Sequence, residues 1–145
     1  MIKIRPFNQL DYEEVVNMYY DFNTEIYPNR IIGMKIRYYE KVLEWIKNKV
    51  HIVISCKDDI ITGFSMCYID TSGLTEPMYQ CDICYVKPEF RKCRSAYLLY
   101  NNAVSFAKDN NIGIVSEARI ENGTDEMCIK HFDMKPTYLR IERNR

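Results

Sequence analysis

"VKPEFRKCRSAYLLYNNAVSFAKDNN", Val86 to Asn111, decides the fold. It opens as the end of a strand and crosses a turn that sets Lys87, Arg91, Lys92 and Arg94 against the single acid Glu89. It then continues as an amphipathic helix, in which Ala96, Leu99, Ala103 and Phe106 or Ala107 form the face expected on a sheet. A second strand-like run, "IGIVSEARI", starts at Ile112, so the segment reads as a crossover unit whose flanking strands are parallel neighbours. The amino end of such a helix carries unpaired N–H groups and the positive end of the dipole, to which the turn adds cations. Ligands of open sheets bind beyond the carboxyl ends of parallel strands. The turn is therefore a candidate anion site, with a solvated basic turn as the alternative.

Working outward, "IKIRPF" alternates apolar and polar residues as a half-buried first strand does. In "NQLDYEEVVNMYYDFNTEI" the period changes: Asp11 is placed to cap a helix with Glu14 three residues on, and Val15, Tyr19, Phe22 and Ile26 form its apolar stripe. After the turn formers Pro28, Asn29 and Gly33, Ile36, Tyr39, Leu43 and Ile46 mark a second helix. "HIVISC", "KDD" and "IITGFSMCYID" predict an antiparallel hairpin, and "MYQCDICYV" a fourth strand. Beyond the fifth strand, "ENGTDEMCIKHF" reads as a helix with an acidic first turn and "PTYLRIERNR" as a last strand. With no repeat and no linker, residues 1–145 are expected to form one domain of mixed α/β (α+β) class.

Bulk properties narrow the function. The chain has 145 residues, with 20 basic and 20 acidic side chains, so no basic excess points to nucleic acid. No run approaches the about 18 to 20 apolar residues of a membrane span, and the start lacks a secretory apolar core, so a cytoplasmic protein is expected. The six cysteines read as reduced thiols in a core-forming domain. In "CDIC", Cys81 and Cys84 stand three apart on a strand and are expected on opposite faces, which speaks against a shared metal. No metal site is expected, and His51 and His131 read as ordinary fold residues. Neither the nucleoside triphosphate loop nor the dinucleotide fingerprint is present.

Val86, Pro88, Arg91 and Ala96 match V-x-P-x-x-R-x-x-G-x-G/A, the acyl-CoA-binding segment of the GNAT N-acetyltransferase superfamily, which this chain resembles over nearly its whole length. The resemblance implies a three-layer GNAT-like domain that transfers acetyl from acetyl-CoA directly to a primary amine, whether protein lysine, N-terminus or small molecule. It implies cofactor contacts from Cys84, Tyr85, Val86, Arg91, Lys92, Cys93, Arg94, Ser95, Ala96 and Asn122. Asp82 is the expected base, with Glu76 in reserve. Tyr20, Glu25, Tyr27 and Tyr68 or Tyr79 are expected around the acceptor. A homodimer is compatible with this reading.

Three departures stand out. Arg94 replaces a loop glycine, and Asp133 and Met134 replace a Gly-Phe pair. Ile129 takes the place of the Tyr that in many members protonates the departing thiolate, leaving Tyr138 or Cys128 as expected substitutes. The rival reading is a GNAT-fold module that binds CoA or a protein without catalysis.

Overall fold

The computed structural model describes residues 1–28, 33–73, 76–116 and 123–136. Their strands form one sheet in the order β1 (Ile2–Pro6), β2 (His51–Lys57), β3 (Ile60–Asp70), β4 (Met78–Val86), β5 (Gly113–Ser116). The first four are antiparallel neighbours, whereas β4 and β5 are parallel, as the crossover requires. Helices α1 (Tyr12–Ile26) and α2 (Lys35–Lys47) cover one face, and α3 (Ser95–Asp109) crosses the other with α4 (Thr124–Phe132) packed beside it. Three layers result. The last strand read from "PTYLRIERNR" lies outside the described residues, apart from Pro136.

Two cores hold the layers together. On one side Val15, Val16 and Met18 of α1 and Val42 and Trp45 of α2 pack against Ile54, Phe64, Met66 and Ile83 of the sheet. On the other, Tyr100, Ala103 and Ala107 of α3 and Cys128 of α4 meet Cys67, Tyr79 and Cys81. The expected face of α3 is thus present at Leu99, Ala103 and Ala107, while Ala96 is only half-buried and Tyr100 and Val104 join the core.

Two expectations need correction. On α2 the buried residues are Tyr38, Val42 and Trp45, whereas Ile36, Leu43 and Ile46 are exposed. Both sets recur at helical spacing, and the set with the larger aromatic rings wins the interior. At α1, Asp11 makes no side-chain cap. Its carboxylate instead accepts from both terminal nitrogens of Arg5 at 2.6 and 2.8 Å and from the Asn8 N–H at 2.8 Å, closing a capping box one turn earlier.

The largest departure from regular pleat lies in β4. Met66 pairs with Ile83 and Cys67 with Cys81, so Asp82 is an extra residue, a β-bulge. Alternation breaks there: Tyr79 and Cys81 face α3, Ile83 and Tyr85 face α1, and Cys84 packs with the α3 side. The sulfurs of Cys81 and Cys84 therefore share a face, contrary to the regular-strand expectation. Burial drives the Cys84 thiol well up, and contact with the Cys67 thiol followed by burial does the same to Cys81.

Asp11 is only 5 % exposed, and its pKa is held below the ordinary carboxylate value chiefly by the Arg5 hydrogen bonds. A lowered folded pKa contributes stability above the unfolded value of about 3.9, and that contribution is lost as pH falls through the folded value. Asp11→Asn should be the less stable protein at neutral pH, and the gap should close as pH drops below about 4 in urea melts run across that range.

Candidate functional site

β5 pairs with Met78–Cys81 of β4, so Asp82–Val86 has no strand partner on that edge among the described residues. Backbone donors and acceptors of a strand edge are a template for an extended ligand. This stretch of β4 leads directly to the basic turn and the first turn of α3.

A narrow cavity of about 100 Å³ lies at this junction, lined by Glu25, Cys84, Val86, Arg91, Ala96 and Tyr100 among others. It adjoins a wider one of about 480 Å³ bounded by Arg91, Arg94, Ala96, Tyr97, Thr124 and His131. The amino ends of α3 and α4 both border this second cavity, so N–H groups and dipoles of two helices favour an anion there.

The cations are less free than their sequence suggests. Arg91 makes a bidentate pair with Glu25 of α1, at 2.7 and 2.5 Å, donates from Nε to the Val86 carbonyl at 2.9 Å, and lies over the Tyr85 ring. Lys87 pairs with Glu14, also of α1. Arg94 lies 4.9 Å over the Tyr97 ring, and Lys92 carries no ion pair among the described residues. Two of the four cations therefore bind the turn to α1.

Arg94 adopts φ −85°, an ordinary conformation, so the backbone here has no need of the glycine that the GNAT pattern carries. Asp133 does adopt the left-handed conformation, at φ 52°, closing α4 where the pattern has glycine.

Side chains of two expected cofactor contacts turn inward. Ser95 is fully buried, its hydroxyl 2.8 Å from Thr62, which in turn lies 2.8 Å from Ser55. The Cys93 thiol donates to the Phe90 carbonyl. Thr62 is the extra residue where Ser55 pairs with Gly63 and Cys56 with Ile61, so a second bulge supplies the hydroxyl that anchors α3. What Ser95 offers a ligand is its backbone N–H.

Asp82 is half-buried in the first bulge and within electrostatic reach of α1: Tyr19 is pushed up mainly by burial and in small part by this carboxylate. Glu76 is exposed in a loop. Tyr79 lies on the α3 face, its hydroxyl 2.8 Å from His51 Nδ1, and so cannot wall an acceptor on the α1 side. Tyr20 and Tyr68 are packed against the α1-side core. Cys128 is buried, its thiol pushed up to about 11 by that burial, and Ile129 is 48 % exposed. Asn122 and Tyr138 fall outside the described residues.

Sequence reading missed Tyr100. It lines the narrow cavity and its hydroxyl meets Ser116 Oγ at 3.2 Å, at the last paired residue of β5. Its phenol is pushed well up by burial, which keeps the proton on. The available signal was its place beside Leu99 on the buried stripe of α3. No group of three or more metal-ligating side chains occurs among the described residues, and no described helix is long and apolar enough to cross a membrane.

No protein-family model and no curated protein matches the chain in sequence. Its structure is similar to a possible acetyltransferase from Clostridium difficile 630, with TM-score 0.77 and 17 % identity over 100 % of this chain and 97 % of that one. A predicted acetyltransferase from Clostridium acetobutylicum, solved with acetyl-CoA, aligns at TM-score 0.75 and 16 % identity over 99 % and 96 %. A ribosomal-protein-alanine N-acetyltransferase from Brucella melitensis biovar Abortus 2308 aligns at 0.71 and 14 %, each chain covered in full. At these identities the likeness is one of fold: the chain has the mixed α/β fold of GNAT acetyltransferases.

The buried chain Ser55–Thr62–Ser95 yields a direct test of how α3 is held. Thr62→Val keeps the shape but takes a partner from two buried hydroxyl groups, leaving Ser95 only the Cys93 sulfur at 3.2 Å, and it should lower stability by about 1–3 kcal/mol in urea unfolding.

Proposed function

We propose that the chain is an acetyl-CoA-dependent N-acetyltransferase acting on a primary amine. The observation that carries this reading is the Asp82–Val86 edge of β4, without a strand partner among the described residues, opening onto a basic cavity at the amino end of a crossover helix. An extended amide-bearing arm such as pantetheine would pair with that edge as an added strand. The diphosphate would meet the N–H groups of Ser95, Ala96 and Tyr97, with Arg94 and Lys92 beside it. The described residues fit such a ligand, since Arg94 is unstrained and its side chain lies over Tyr97.

Asp82 would take a proton from the acceptor amine, whose pKa of about 10.4 leaves it mostly protonated at neutrality. The amine nitrogen then bonds to the thioester carbonyl carbon, and N–H groups near Cys84–Val86 stabilise the oxyanion. As the C–S bond breaks, Tyr100 gives its proton to the sulfur and its phenolate takes up the proton that the nitrogen sheds as the amide forms, taking the role for which Ile129 has no hydroxyl. The CoA-binding module without catalysis draws support from Ile129, exposed and aliphatic on α4. Tyr100 is the residue that decides between the two.

Acetyl-CoA should raise the melting temperature, and an amine panel should release free thiol in its presence; binding with no turnover on any amine establishes the non-catalytic reading. Glu25→Gln should tighten CoA binding by about 3- to 10-fold in calorimetry, because it frees Arg91 and removes a carboxylate beside the diphosphate. Tyr100→Phe should bind acetyl-CoA unchanged but lower kcat by about 10- to 100-fold, at the modest end of acid catalysis because a thiolate leaves with a pKa of about 8.5.

A further inference from the structure

The stripe that α2 leaves outside is not scattered. Ile36, Leu43 and Ile46 are 54, 51 and 37 % exposed, Tyr39 is half-buried among them, and Met34 just ahead of the helix is 74 % exposed. Ile36 repeats at Leu43, Tyr39 at Ile46, and Glu40 at Lys47, so the stripe has the seven-residue period of a helix-pairing seam flanked by charge. At the carboxyl end of α2 a cavity of about 440 Å³ opens, walled by Phe7, Ile46, Val50, Val53 and Phe106. Apolar knobs thus stand at one end of the stripe and an apolar hole at the other.

We propose that this stripe pairs with that of a second copy of the chain, antiparallel about a two-fold axis. A two-fold contact sets residue i on j and j on i, so each copy's knobs meet the other's hole. Charge fixes the register. Glu40 and Lys47 occupy the same flank, and same-flank positions face each other in an antiparallel pair. With Leu43 packed on Ile46 of the second copy, each Glu40 comes beside the other copy's Lys47, giving two opposite-charge pairs. Tyr39 and Ile36 then lie beyond the carboxyl end of the second copy's α2, where its cavity opens. Sliding the helices by one heptad layer sets Glu40 against Glu40 and is disfavoured. The hole is bounded by Phe106, which the helical rise puts about 16 Å along α3 from Ser95, so the dimer leaves the basic cavity open and holds whether or not the chain transfers acetyl groups.

Sedimentation equilibrium and light scattering test this at about 100 µM chain, well above the micromolar Kd of a modest interface. The unaltered protein should be dimeric and Leu43→Asp monomeric with its circular dichroism intact. Glu40→Lys should weaken the dimer by about tenfold or more, since it turns two attractions into repulsions, and Glu40→Lys with Lys47→Glu should restore it. A monomer at that concentration overturns the proposal and leaves the stripe to another partner. A dimer indifferent to Leu43→Asp, or a double reversal that fails to restore association, overturns it as well.

Discussion

One inserted residue in β4 sets up everything at the site. Up to Cys81 the strand is regular and pairs with β5; from Ile83 its faces are exchanged and its outer edge has no described partner. A bulge bends and over-twists its strand, and here it follows the last described pair with the parallel neighbour, Cys81 with Ser116. The same insertion brings Cys84 to the α3 side beside Tyr100 and leaves Tyr85 against Phe22 of α1. Pleating Asp82 into the ladder as a regular strand residue would turn Ile83 and Tyr85, both buried in the α1-side core, onto the opposite face. The bulge is therefore held in place by two hydrophobic cores that demand opposite parity.

The electrostatics follow from how the layers are joined. α1 supplies Glu14 and Glu25 to Lys87 and Arg91, so half of the turn's positive charge is matched by a helix on the far face of the sheet. Each pair is partly exposed, and exposed pairs contribute little to stability. Their importance is positional: Arg91 is held at once by a carboxylate, a carbonyl and an aromatic ring, which fixes the wall between the two cavities. An incoming diphosphate would exchange one anionic partner of Arg91 for another, a far smaller change than binding to an unpaired guanidinium.

Element order was legible from the sequence because it rests on periodicity and turn residues, and Val86 to Asn111 specified the parallel crossover from chemistry alone. What escaped detection depends on packing between distant segments. Nothing in "MYQCDICYV" marks Asp82 as inserted, since the register of Met66 with Ile83 is a property of two strands together. On α2, the isolated helix presents two acceptable stripes, and only the groove between α1 and the sheet selects Tyr38 and Trp45. Asp11 looked like a cap because of its neighbours, yet Arg5, from the adjacent strand, offers it two strong donors. Tyr100 escaped notice because its hydroxyl acquires meaning only through Ser116, on a strand distant in sequence from the middle of α3.

The departures from the GNAT pattern can be weighed by the same physics. Glycine serves a phosphate loop in two ways, by permitting positive φ and by removing bulk. At residue 94 the first service is not needed, because φ is −85°, and the guanidinium over Tyr97 stands at the wall of the wide cavity as a cation where glycine had only space. At residue 133 the conformation is still required, and Asp tolerates it better than most side chains do. Ile129 brings no hydroxyl, and the neighbouring Cys128 on its helix is buried. If the chain is catalytic, α3 offers two phenols for that role, Tyr100 in the narrow cavity beside the β4 edge and Tyr97 in the wide one.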